Sequence, residues 1–521
     1  MPRGALGWGR AVVSAQTFAL FALSLAKPCA PTVTSMPLCY RFAMIVAKDG
    51  ARAQLIGRSV GQRSACRPWL GTNKIKESAR TGQARYCEAF TLCAHWYAMK
   101  IKSALAALLG SALLLGASAA SANTELRVWC WDDHFNVKAA RMAAERYQAQ
   151  HPEVTIKVDS IGQIDIIQKL NAALGANNIR SLPDIVLIED YRVQNFLVGY
   201  PDFLQEVGSK IDTKGTFVDY KVAASSFKGK SYGVPFDSGV TAAFIRMDLF
   251  EQAGYTIDDF QDITWDQFIE MGQKVKDKTG TYLISYDPSD LGILRVMLQS
   301  AGAWYTNADG TEVTLKDNVA LKEGLLLFKK MQDAGLLTNY NGWNQHLAAF
   351  QNGQVSSVVQ GCWITASIEA QQEQAGKWRV VPLPKLSTVK NATHYSNLGG
   401  SQWYVNAYSQ HADVATDFLR ATFASDTELL NELVTEITLV NSLKDTTKIS
   451  NYNIGNPFFG DQKIYNDFAT WSKKIPAISY GPHTYAIESI MTEALQRVLA
   501  GEDVDTVLAE AQINAEMQIG L

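Results

Sequence analysis

The chain has 521 residues, a formal charge of −3, seven cysteines and 47% hydrophobic residues. Length and composition together exclude a disulfide-stapled miniprotein and a wholly disordered chain. The averages conceal a basic beginning: residues 1–122 carry 15 Lys and Arg against 3 Asp and Glu, which leaves 33 basic and 48 acidic residues, a net −15, from Asn123 onward.

Residues 1–98 have no sustained helical or strand period and read as a spurious upstream extension. Met99 opens a tripartite secretory pattern, with Lys100 and Lys102, an apolar run from Ala104 to Leu115, and Ala120-Ser121-Ala122 before Asn123. Residues 99–122 are therefore expected to be a cleaved signal peptide, its apolar core shorter than the ~20 residues of a membrane span. No cysteine follows that core to carry a lipid, which favours a Gram-negative periplasm. The remaining 399 residues hold two cysteines, Cys130 and Cys362, and suffice for two lobes. Their negative charge argues against nucleic acid as a partner.

Strand and helix patterns then alternate. Leu126 to Trp131 reads as a strand, Val137 to Ala149 as a helix, Val154 to Val158 as a strand, Ile164 to Leu174 as a helix, and Asp184 to Ile188 as a strand entered through Pro183. This alternation predicts an α/β fold with a mostly parallel sheet, whose ligands bind at the carboxyl ends of the strands. A turn at Gly229–Phe236 leads to a strand at Thr241–Ile245 and a short helix from Met247. Thr264 caps a helix beginning at Trp265, with Phe268, Ile269 and Val275 on its apolar side. Further helices are expected at 321–334, 412–423, 427–435, 464–474, 487–499 and 504–517.

The sequence contains no HExxH, CxxC, GxSxG or phosphate-cradling loop, and the six histidines after the signal are scattered singly, so neither a metal nor another cofactor is expected. Acidic residues at strand ends, Asp132, Asp133, Glu189 and Asp190, are the candidates for chemistry. A carboxylate pair could hydrolyse a glycosidic bond, but such residues equally hold sugar hydroxyls or cap helices. Four tryptophans stand beside or shortly after Gly, Asp or Asn in turn-like contexts: Trp131, Trp343, Trp363 and Trp403. Flat apolar faces near carboxylates suit a pyranose, whose C–H face stacks on rings while its hydroxyls bond in plane.

Seven segments, in order, carry a resemblance: LRVWCWDDHFN (126–136), LPDIVLIEDY (182–191), GKSYGVPFDSGVTAAFIRMDLFEQAGY (229–255), ITWDQFIEMGQKVKD (263–277), AAFQNGQVSSVVQGCWI (348–364), VVPLPKL (380–386) and NLGGSQWYVNAYSQHADVATDFLRATFAS (397–425). The chain from Asn123 resembles the extracellular solute-binding proteins of ABC sugar importers, the maltose-binding type. The resemblance implies two α/β lobes around a hinge: 123–235 and 385–455 in the first lobe, 236–384 and 456–521 in the second. By motif position, Trp131, Asp132, Asp133, Glu189, Asp190, Tyr191 and Asp237 would line the cleft. So would Trp343, Trp363, the Gly400–Trp403 loop with Ser401, and His483 and Tyr485. The implied function is a monomeric periplasmic receptor, not an enzyme, that binds a carbohydrate, preferably an oligosaccharide, and docks on permease subunits in the inner membrane. A secreted glycosidase or lyase, and a receptor for a polyamine or other cation, are the alternatives. Because Cys130 and Cys362 would fall in opposite lobes, both are expected to be free, buried thiols.

Overall fold

The computed structural model describes residues 123–520; the expected upstream extension and signal peptide lie outside this range. The main elements are β1 (Thr124–Cys130), α1 (Asn136–Gln150), β2 (Val154–Ser160), α2 (Gln163–Gly175), β3 (Ile185–Glu189), α3 (Asp190–Gly199), α4 (Asp219–Ala224) and β4 (Gly233–Asp237). After a crossing come β5 (Thr241–Arg246), α5 (Trp265–Thr279), β6 (Ile284–Tyr286), α6 (Gly292–Ser300), α7 (Val319–Asp333), β7 (Leu337–Asn339), α8 (Trp343–Gln351), β8 (Ser357–Gly361) and β9 (Trp378–Val381). The chain then returns through β10 (Ser401–Val405), α9 (Ala412–Ala421) and α10 (Thr427–Ile437), and ends with α11 (Ile464–Ser472), α12 (Thr484–Leu499) and α13 (Val504–Ile519).

The first lobe is built on a five-stranded sheet of order β2-β1-β3-β10-β4. Strand alternation sorts its side chains to two faces. Leu126, Val128, Ile185, Leu187, Trp403 and Val405 pack against α1, α9 and α10 on one side. Trp129, Val186, Ile188 and Tyr404 pack against α2 and α3 on the other. The second lobe has a three-stranded sheet of order β8-β5-β9. The parallel pair β6–β7 joins its edge through Ser356 N and Ser357 N, which donate to Tyr282 O (2.8 Å) and Leu283 O (3.0 Å). Ala243, Ile245 and Val359 point into one core, and Ala242, Phe244 and Val358 into the other. The expected helix at Trp265 carries a full capping box between Thr264 and Gln267 and ends on left-handed Gly280.

Neither sheet is mostly parallel: the five-stranded sheet is mixed and the three-stranded one antiparallel. β10 runs antiparallel to β3 and β4, and β5 antiparallel to β8 and β9, because each is the strand by which the chain enters a lobe from the other one. The crossings lie side by side: Leu398 N donates to Gly239 O (2.8 Å), Thr241 N to Ser396 O (2.9 Å), and Ser238 N to Val440 O (2.9 Å). Gly239, at φ +62°, is required there, since a Cβ would stand 2.7 Å from Gly400 N. The expected second boundary at residue 384 moves. Residues 385–396 stay with the second lobe, where Leu386 joins the core with Leu321 and Leu325. Glu323 also accepts from Ser387 N (2.6 Å) and Thr388 N (3.0 Å), so the return crossing is at Asn397–Gly400.

Candidate functional site

A cavity of about 550 Å³ opens where the carboxyl end of β3 meets the second lobe. Its walls include Glu189 and Gly399 from the first lobe and hinge. From the second lobe come Asp287, Asp290, Arg295, Tyr340, Trp343, Gln360, Trp363, Tyr485 and Glu488. The indoles of Trp343 and Trp363 lie with centroids 5.8 Å apart. Trp363 is fixed by donating from Nε1 to Leu398 O (2.9 Å), whereas Trp343, at the start of α8, remains 48% exposed. Opposite these apolar faces stand hydrogen-bonding groups held by one another. Tyr485 OH donates to Glu189 Oε2 (2.7 Å), and Arg192 reaches the same oxygen (3.1 Å) while its guanidinium lies 3.9 Å from the Tyr485 ring centroid. Arg295, almost buried, bonds Glu488 (2.5 Å) and Asp290 (3.1 Å). Burial raises the Glu488 carboxyl above its ordinary range, and Arg295 opposes that rise.

Of the sequence candidates, Glu189, Trp343, Trp363 and Tyr485 meet at this cavity. Others lie behind it. Asp190 and Lys221 are wholly buried and paired (2.6 Å), with Gln402 Nε2 donating to Asp190 (3.0 Å) and Lys221 Nζ to Ser401 O (3.2 Å). Burial lifts Asp190 to about 6 against the pull of the Lys221 ammonium. Asp237 is buried beside it, raised by the same cause, and accepts from Ser401 Oγ. Gly400 closes this knot at φ +87°, where a Cβ would lie 2.9 Å from Asp190 Oδ2, and its carbonyl accepts from Asp190 N (3.1 Å). Asp190, Asp237, Gly400 and Ser401 thus support the hinge rather than line the cavity. Tyr191 is also buried, donating to Asn397 O (2.9 Å) and stacked on Trp304.

Trp403 is a core residue, 1% exposed between Phe236 and Phe423, because Gly-Gly-Ser leads straight into a central strand and not a loop. Asp132 serves a turn, its carboxylate accepting from His134 N (2.8 Å) and Phe135 N (3.1 Å); Asp133 is exposed. Trp131 is half-buried against both first-lobe cores. None of the three is a wall of the cavity, and neither is His483, at the start of α12, whose pKa burial lowers. Arg295, Gln360, Asp290 and Glu488 were not anticipated. Arg295 and Glu488 do leave a trace, each a lone charge within an apolar helical run, GILRVMLQS and IESIM. Cys130 and Cys362 are free and buried. Among the described residues no group of three side chains could hold a metal, and no helix is long and apolar enough to cross a membrane.

A sequence model of the bacterial extracellular solute-binding protein family matches residues 142–452. The chain is a bacterial extracellular solute-binding protein. Its relatives include a lactose-binding protein of Rhizobium radiobacter, 40% identical over 423 residues, covering 81% of this chain and 99% of that one. An arabinooligosaccharide-binding protein of Bacillus subtilis (strain 168) is 26% identical over 60% of this chain and 71% of its own. Solved structures share the two-lobed fold. One is a binding protein of Bifidobacterium animalis in complex with β-1,6-galactobiose (22% identity, TM-score 0.61, 75% of this chain and 96% of that one). Another is a sugar-binding protein of Xanthomonas citri (20%, TM-score 0.62, 76% and 98%). A solute-binding protein returns its ligand unchanged, so the hydrolase or lyase reading of the carboxylates falls.

Proposed function

We propose that this solute-binding protein captures a neutral disaccharide, lactose foremost, between its lobes and passes it to the permease of an ABC importer, acting in the periplasm as a monomer. The observation that carries this reading is the pairing of the Trp343 and Trp363 faces with the Glu189, Asp290, Gln360 and Glu488 groups across one cavity. Its volume lies within the roughly 300–1,000 Å³ of small-molecule sites. Indole faces suit the C–H face of a sugar, and carboxylates and amides its hydroxyls. Four carboxylates against Arg192 and Arg295 leave the cavity net negative, which disfavours anionic sugars. The 40% identity to a lactose-binding protein supports lactose as the sugar. Closure follows if the ligand bonds both lobes, since only a differential affinity for the closed form can shift that equilibrium.

The test is a thermal-shift and calorimetric panel of lactose, maltose, cellobiose, arabinobiose, galacturonate and spermidine. Lactose at a hundred times its Kd should stabilise the protein by about 2.7 kcal/mol and be recovered intact. Stabilisation by spermidine alone, or consumption of the sugar, would refute the reading.

A further inference from the structure

The cavity has a side chamber. Ser285, His346, Phe328, Val358 and Val359 enclose about 20 Å³ of free volume, room for one oxygen-sized group. The chamber shares Asp287, Asp290, Tyr340, Gln360 and Leu398 with the main cavity, so the two adjoin. His346 is 3% exposed, and the rings of Tyr340, Trp343 and Phe350 pack around it at 4.5, 5.4 and 5.5 Å. Its Nδ1 sits 3.5 Å from Ser285 Oγ, but its buried Nε2 has no hydrogen-bond partner among the described residues. Leaving such an atom unpaired is costly, and a sequence places it beside a ligand cavity only at a price in stability unless something bonds it. Burial holds the imidazole at about 4, so the ring is neutral and Nε2 is a donor or an acceptor according to tautomer.

We infer that the chamber receives the hydroxyl of the exocyclic hydroxymethyl arm of one hexose unit, bonded to His346 Nε2, and that His346 thereby selects hexosides over pentosides. This rests on the saccharide reading above and adds to it a specificity-determining residue. The arm is the part of a pyranose that projects one carbon and one oxygen beyond the ring. Its hydroxyl fills the chamber and, donor and acceptor at once, satisfies either tautomer, while the methylene stays at the mouth beside Tyr340 and Leu398, which both spaces share. A pentopyranose lacks the arm and leaves the nitrogen unpaired, the situation in which a polar site discriminates most strongly.

The experiment is a cycle between protein and ligand. Binding of lactose and of its two monodeoxy analogues, each lacking one primary hydroxyl, is measured by calorimetry for the wild type, His346→Ala and His346→Gln. The wild type should bind one analogue at least tenfold more weakly than lactose. His346→Ala should bind lactose correspondingly weakly and lose the discrimination, and His346→Gln should restore part of it. Equal binding of all three ligands by the wild type, which needs no variant to fold, overturns the inference, as does unchanged discrimination in His346→Ala. If lactose does not bind, the lactose reading fails separately. The same cycle then runs on the hexose disaccharide that does bind, and binding of pentose disaccharides alone, or of no hexose disaccharide, overturns the chamber assignment.

Discussion

Replacing Lys221 with Met tests the buried knot under the hinge. The Lys221 ammonium gives one bond to Asp190 Oδ2 at 2.6 Å and one to Ser401 O at 3.2 Å, and neither charged side chain has any exposure. Removing it leaves Asp190 with only Gln402 as side-chain donor and takes one donor from the Ser401 carbonyl. Breaking a buried pair by deleting one partner costs about 3–5 kcal/mol. The loss has a pH signature. Asp190 already stands at about 6 with the lysine present, and without it the carboxyl moves higher. A group whose folded pKa exceeds its unfolded value near 3.9 makes the folded state bind more protons between the two, so stability rises as pH falls through that window. Urea unfolding should therefore show the largest deficit relative to wild type at pH 8 and a smaller one at pH 5, each unit of extra shift being worth about 1.4 kcal/mol. A deficit under about 1 kcal/mol at pH 8, or one identical at both pH values, would refute the reasoning.

Two further outcomes concern the cavity and the cores. Trp363→Ala removes one of the two stacking faces and should weaken saccharide binding at least tenfold, about 1.4 kcal/mol by calorimetry; undiminished affinity would take Trp363 out of the site. Burial raises the Cys130 and Cys362 thiols to about 12, so iodoacetamide at pH 8 should leave both unmodified in the native protein and label both in urea. Native labelling of either, read by peptide mapping, would show that its lobe opens.

Much of the fold was legible because it rests on periodicity. The first three strands and the Trp265 helix announce themselves by alternation, by a proline entry and by a capping threonine. Glu189 was legible as a cleft residue because parallel strands end at their ligands, and Trp363 because a glycine turn presents it. Trp403 misled: its glycines mark the hinge, not a loop, and a central strand buries both faces. Arg295 and Glu488 come from α6 and α12, and no local spacing links residues that only tertiary packing joins at 2.5 Å. The residue-384 boundary failed because the strand ends at Val381, before Pro382, and the chain runs on through Pro384 without leaving its lobe.

The place of β10 has a consequence for how the molecule is made. It lies between β3 and β4 in the first sheet, yet follows them only after most of the second lobe. A ribosome therefore releases β4 with no neighbour to pair with in that sheet, and β3 keeps an open edge until Val405 emerges. Pairings so distant in sequence fold slowly, because loop closure precedes any reward. Until then the exposed strand edges are a hazard for aggregation, and the growing chain stays pliable for whatever machinery handles it before its last third is complete.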